Sequence, residues 1–296
     1  MKIYEMGPGG RIPIPPPAHG GIERVVDRLS HELSNMGHEV IIVNRQDIEN
    51  IDYDPEGVIH CHWAGHALKL QAMGLPYAYT SHSHVWEKTC ARAIMGCDMY
   101  LALHEGMVPK MYRGPMIAVG NGVDLEFWHP TGEHRRNIIV SCAHYHKRKR
   151  LEMMHELIDI MPEEWTGIIV GPAVPGHVPP HPRIDLMPER PVEHIRKIFS
   201  YCKVGFHPAE QEAYALVPLQ MAACKLMTFC HEDCHVYGTQ MPIMNFRTVE
   251  SVAGAILNLY YIGFENRQIN GVAIQSMSWR HPALRVERGL MKMKGG

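Results

Sequence analysis

The sequence predicts an α/β protein made of two doubly wound halves, and three observations carry that expectation. The chain opens as strand, glycine-rich loop, amphipathic helix and strand, the start of a Rossmann-like unit. A second alternation of short apolar strands and helices begins at Asn137, after a turn-forming Asn121-Gly122 and a polar stretch from Pro130 to Arg136. The length, 296 residues, accommodates two domains of ordinary size.

The elements follow from pattern. Lys2 to Met6 reads as the first strand, and a Gly/Pro-rich stretch runs from Gly7 to Gly21, where prolines hold an extended backbone. Ile22, Val25, Val26, Leu29, Leu33 and Met36 make a helical stripe that Gly37 ends. His38–Asn44, Val58–Trp63, Pro76–His82, Met99–His104 and Met116–Val119 read as strands, with helices between them, one at Ala67–Met73. In the second half the strands are Ile138–Cys142, Thr166–Val170, Ile184–Met187, a segment ending at Phe206, Leu226–Cys230 and Ile243–Phe246. Its helices run through Leu151–Met161, Pro191–Cys202, Val249–Ile262 and Glu265–Met277, with a helix after the elbow at 210–214 and a loop at Gly171–Pro182. The first domain is placed at residues 1–130, the second at 131–277, and a short basic tail helix at 278–296 returns to the first.

Composition narrows the class. An apolar fraction of 46% and a charged fraction of 20% are those of a soluble globular protein. A net charge of −2 provides no overall basic field for nucleic acid or anionic membrane. No secretory leader is visible and no apolar run spans a bilayer, so a cytoplasmic location is expected, with the 8 scattered cysteines as reduced thiols. GxGxxG is absent after the first strand, so no dinucleotide cofactor is indicated. Two histidine-containing groups invite a metal: Cys230-His-Glu-Asp-Cys-His235, which lacks a spaced second ligand pair, and His60, His62 and His66. The period of a strand puts His60 and His62 on one face without supplying a third ligand, so no metal site is assigned.

Four motifs, in order along nearly the whole chain, resemble those of family 4 retaining glycosyltransferases. Ile12 to Val26, containing Gly20-Gly21-Ile22-Glu23, is similar to the family's glycine loop, and Asn121-Gly-Val-Asp124 to its turn before the interdomain linker. Ala143-His-Tyr-His-Lys-Arg-Lys149 stands where the family has Gly-Arg-Leu-x-x-x-Lys. Glu212-Ala-Tyr-Ala-Leu-Val-Pro-Leu-Gln220 stands where it has a Glu followed by Gly-Phe-Gly-Leu-x-x-x-Glu, with alanines for glycines and Gln220 for the second acid. The resemblance implies a GT-B fold, two Rossmann-like domains facing across a cleft. It also implies metal-independent transfer of a sugar from a nucleotide-sugar, a UDP- or GDP-sugar, with retention and without a further cofactor.

On that resemblance His82 and Glu212 are the expected catalytic residues. Gly20, Gly21, His144, Arg148, Lys149, Tyr214, Ala215, Leu216 and Gln220 are expected to bind the donor and its phosphates. The chemistry suits them: a departing nucleoside diphosphate develops negative charge that cations and free amides at helix starts stabilise. Glu212 would accept from sugar hydroxyls, and His82, at a strand's carboxyl end, would donate to a sugar hydroxyl or leaving-group oxygen. His144 replaces the family's arginine, a role open to Arg148 or Lys147. The same basic run also suits a solvated helix start, nucleic-acid phosphates or lipid head groups. The acceptor stays open among glycan, lipid-linked glycan, small molecule, protein and modified DNA base, so nucleic acid enters only as an acceptor. A homodimer is open too. The competing reading is a non-catalytic GT-B binding or partner subunit; a metal-dependent hydrolase ranks third.

Overall fold

The computed structural model describes residues 1–10, 12–17, 20–83, 88–172, 178–210, 212–232, 234, 243–261 and 274–295. The helix expected over 265–277 lies mostly outside the described residues, as do Asp233 and His235 of the cysteine–histidine segment. The chain divides into two compact units: Met1–Gly122 with Trp279–Gly296, and Val123–Ser278. Each is an α/β unit on one parallel six-stranded sheet.

The first unit carries β1 (Lys2–Met6), β2 (Glu39–Val43), β3 (Val58–Cys61), β4 (Ala78–Tyr79), β5 (Met99–Ala102) and β6 (Met116–Ala118) in the order β2-β1-β3-β4-β5-β6. The sheet starts in its middle and reverses between β1 and β3, the point where α/β sheets open a crevice at their carboxyl ends. α1 (Gly21–Asn35) buries Val25, Val26, Leu29 and Leu33, the stripe read from sequence. Gly37, at φ 88°, turns the chain out of it. α2 (Ala64–Met73) and α3 (Lys88–Met95) complete the helices of this stretch. β4 is shorter than the expected Pro76–His82. Pro76 has no N–H for the ladder, and beyond Tyr79 only the Thr80 amide still reaches β3, at 3.0 Å from the Cys61 carbonyl oxygen. The backbone that leaves the ladder there carries Thr80 and His82.

The second unit carries β7 (Arg136–Cys142), β8 (Thr166–Val170), β9 (Ile184–Met187), β10 (Cys202–His207), β11 (Met227–His231) and β12 (Ile243–Phe246), ordered β12-β11-β10-β7-β8-β9. This sheet reverses between β7 and β10. α4 (Met153–Ile160), α5 (Val192–Tyr201), α6 (Leu216–Ala223) and α7 (Val249–Tyr261) flank it. Buried Ile139, Trp165, Ile169, Phe206 and Val252 belong to one core. The near-continuous apolar strands reflect a sheet covered on both faces.

The last helix, α8 (Arg280–Gly295), packs within the first unit. Gly289 allows this close approach: a Cβ there would stand 2.5 Å from Leu101 Cδ2. Arg285 donates to the Val119 carbonyl at 3.1 Å, and Glu287 pairs with His38 at 2.7 Å. Among the described residues no helix is long and apolar enough to cross a membrane. All eight cysteines are free thiols.

Candidate functional site

In the second unit the residues of interest leave the two strands at the switch point. The segment after β7 holds Ala143 to Arg150, and the segment after β10 holds Pro208 to Ala215. Gly171 lets the first of these settle. A Cβ on it would fall 1.9 Å from the Ala143 carbonyl oxygen, so only glycine permits the ends of β7 and β8 to pass this closely. Tyr145 is buried and donates its hydroxyl to the Ile169 carbonyl at 3.3 Å, which anchors the basic run that follows.

Lys147–Lys149 form one 3₁₀ turn, whose Arg148 amide donates to His146 Nδ1 at 3.3 Å. Arg150 ends the turn in the left-handed region, at φ 45°. Two bonds stitch the turn to the neighbouring elbow: the Glu210 amide donates to the Arg148 carbonyl at 2.9 Å, and Arg150 Nε to the Pro208 carbonyl at 2.9 Å. The stitching brings Lys149 Nζ onto Glu212 Oε1 in a short ion pair. Burial pushes the Glu212 carboxyl up, but Lys149, His207 and Arg148 outweigh it and hold it below the usual carboxylate range. Glu212 is therefore an anion, with a cation in contact and a backbone bridge to Cys234 fixing its strand-like segment.

α6 begins just beyond. Ala215 caps it, Leu216 is its first residue, and Pro218 falls in the first turn, where a missing N–H costs nothing. Gln220 sits one turn further on, on the face of Leu216 and half-buried. A cation, a carboxylate and a helix start at one sheet switch point can hold an anionic oxygen and orient hydroxyls together.

In the first unit a polar chain lies inside the sheet. Glu5 pairs in register with His60 on the neighbouring strand, so both side chains share a face, and His62 follows on that face two residues on. Glu5 Oε1 lies 3.0 Å from His60 Nδ1 and Glu5 Oε2 lies 2.8 Å from His62 Nε2. His60 Nε2 continues to Thr80 Oγ1 at 2.8 Å, and His62 Nδ1 to His82 Nε2 at 2.9 Å. Glu5 and His60 are completely buried, His62 and Thr80 nearly so, and His82, half-buried, ends the chain. Glu5, His60 and His62 also offer ligand atoms within 4.8 Å of one another, a spacing an ion could use. In the arrangement described, both nitrogens of both rings are engaged in hydrogen bonds within the protein.

The structure thus brings Lys149, Glu212 and Arg148 together and places Tyr214, Ala215 and Leu216 at the adjoining helix start. His144 is exposed on the same segment after β7. Gly20 and Gly21 stand at the start of α1, where Gly20 has φ 122° and a Cβ on it would crowd Pro16 and Glu23 at 3.0 Å. His66 is buried in α2 and does not join His60 and His62. Sequence reasoning missed Glu5, Thr80 and the stitching arginine Arg150. An acid at the third buried position of an otherwise apolar central strand was the signal available for Glu5.

A scan of protein-family models and a search of curated proteins returned no match. Solved structures do match over the whole chain. Sucrose-phosphate synthase from Thermosynechococcus elongatus superposes with a TM-score of 0.79 at 14% identity, covering 99% of each chain. The Anabaena protein HepE, solved with UDP-glucose, gives 0.72 at 12% identity, covering 100% of this chain and 99% of that one. The catalytic domain of starch synthase IV from Arabidopsis thaliana, bound to ADP and acarbose, gives 0.72 at 12% identity with the same coverage. The chain has the GT-B glycosyltransferase fold, two Rossmann-like α/β units in one polypeptide.

Proposed function

We propose that the protein is a retaining glycosyltransferase that moves a sugar from a nucleotide-sugar to an acceptor. The observation that carries this reading is the Lys149–Glu212 pair at the switch point of the second sheet, beside the start of α6. In this reading Lys149 and Arg148 take the diphosphate, with His144 as a further donor and the amides of Tyr214, Ala215 and Leu216 on sugar and phosphate oxygens. Glu212, released from Lys149 when phosphate arrives, accepts from sugar hydroxyls while charge develops at the anomeric carbon. Gln220 meets the ribose through a neutral amide. Gly20, Gly21 and His82 also serve the sugar in this reading. A UDP- or GDP-sugar is the donor, no metal or further cofactor takes part, and the site of action is the cytoplasm.

Support for a nucleotide-sugar comes from the fold partners, of which one was solved with UDP-glucose and another with ADP. The replacement of the family's ribose acid by Gln220 favours a second reading, in which the chain binds a nucleotide-sugar without turning it over. Calorimetry with UDP, GDP, ADP and their sugars tests the binding that both readings share. Saturable binding of one nucleotide class, lost in Lys149→Ala, is expected. A protein that binds none of them, while folded, is not a nucleotide-sugar protein.

A further inference from the structure

The polar chain in the first sheet fixes where its hydrogens sit. Burial alone would push the Glu5 carboxyl up, but the His60 and His62 rings outweigh it and hold it at about 2. A carboxylate donates nothing, so His60 Nδ1 and His62 Nε2, which face it at 3.0 and 2.8 Å, both carry hydrogens. Burial first, then neighbouring His60, lowers His62 to about 4, so its ring is neutral near neutral pH and Nδ1 keeps a lone pair. That lone pair faces His82 Nε2 at 2.9 Å, and the hydrogen between them therefore belongs to His82. His82 is held neutral as well, by burial and by the two histidines behind it. A neutral ring with hydrogen on Nε2 has an acceptor at Nδ1.

We propose that Glu5 and His62 are positioning residues that hold His82 as the Nε2–H tautomer, so that His82 Nδ1 accepts a hydrogen bond from a hydroxyl of the bound sugar. This reverses the donor role expected for His82 from sequence. It rests on the reading of His82 as a residue that meets the sugar. His60 is the brace of the arrangement: it occupies the other Glu5 oxygen and the Thr80 hydroxyl, so the carboxylate cannot turn away from His62. The strand ladder makes the arrangement rigid, because Glu5 and His60 are register partners on hydrogen-bonded strands. An acceptor nitrogen selects hydroxyl-bearing ligands and disfavours a bare anionic oxygen at that position, which places His82 on the sugar rather than on the diphosphate.

Histidine-selective 15N spectra of the full-length protein test the proposal without needing turnover. In the wild type the His82 hydrogen is expected on Nε2 and to remain there from about pH 6 to pH 8. A nucleotide-sugar should move the Nδ1 resonance, and the free nucleotide should not. Glu5→Gln offers His62 either an oxygen or an amide, so His82 should become a mixture of tautomers. Its kcat should then fall about 10-fold while nucleotide affinity stays unchanged. Hydrogen on His82 Nδ1, a protonated ring, or an unmoved Nδ1 resonance in a saturated nucleotide-sugar complex would overturn the proposal. So would a folded Glu5→Gln protein with wild-type kcat, or one equivalent of zinc bound by the wild type and lost in that variant. If no nucleotide-sugar binds, the proposed function fails and the hydroxyl role with it, and the tautomer of the free protein alone decides whether Glu5 and His62 position the ring. Should Glu5→Gln not fold, the tautomer and the ligand-induced shift in the wild type decide between the two outcomes.

Discussion

The two units solve the placement of polar groups in opposite ways. In the first, Glu5, His60 and His62 sit on or at the end of central strands, buried, and their geometry is set by ladder register. In the second, Lys149 and Glu212 sit on segments beyond the strand ends, 14% and 16% exposed, joined by one ion pair. The buried carboxylate has both its oxygens hydrogen-bonded within the protein, and the hydrogens of the chain are assigned by contact. On the proposed function an incoming anion takes the lysine of the ion pair and leaves the carboxylate for another partner. Strands confer rigidity here, and loops confer exchange.

That contrast is sharpened most by removing each cation or acid in turn. Lys149→Ala and Glu212→Gln should each lower turnover by about 100-fold or more, as the loss of a transition-state contact does. His82→Ala should act similarly, and steady-state kinetics on the three variants would show it. Thermal stability should separate the units further. Glu5→Ala leaves two buried ring donors unpaired and should destabilise by about 3 kcal/mol. Lys149→Ala leaves a partly exposed carboxylate that still has His207 and Arg148 nearby, and should cost less, about 1–2 kcal/mol. Equal losses in denaturant titrations would end the distinction drawn between the units.

Acid should find the buried chain first. His62 stays neutral in the fold down to about pH 4 but takes a proton below about pH 6.5 once unfolded, so the unfolded state binds more protons in that window. Stability should therefore fall as pH drops from 6.5 towards 4. Glu5, lowered from 4.5 to about 2, extends the fall below pH 4.5, and the lowered Glu212 adds to it. Urea midpoints across this range should flatten below about pH 6.5 in His62→Gln. A slope unchanged in that variant would mean the ring is not held neutral.

Much of the architecture was legible because parallel strands covered on both faces read as apolar runs, as Ile138–Cys142 and Thr166–Val170 do. The amphipathic stripe of α1 was equally plain. Lys149 and Glu212 were legible as candidates, since they stand within local motifs whose spacing survives in the chain, and the structure pairs them. The histidine chain was not. Glu5 and His60 are 55 residues apart, and only the register of β1 on β3 makes them neighbours. Sequence periodicity gave the face of His60 and His62 but not what lay opposite. The short β4 was missed for a local reason, a ladder that Pro76 cannot enter and that Thr80 leaves.

The smallest expected effect concerns Gln220. If α6 delivers it to a ribose, Gln220→Glu converts a neutral bond to a charge-assisted one, a gain on the order of 1 kcal/mol, and nucleotide binding should tighten several-fold. Calorimetry on Gln220→Glu and Gln220→Ala reads this directly, and identical affinities in both would take residue 220 away from the nucleotide.

Turnover of a nucleotide-sugar panel, with the released nucleotide quantified and the product anomer assigned by NMR, tests the central claim most directly. One donor class should be cleaved by the wild type, the product should keep the donor's anomeric configuration, and Lys149→Ala should abolish most of the reaction. Folded protein that cleaves no donor with any acceptor offered, or that inverts the anomeric centre, would contradict the account.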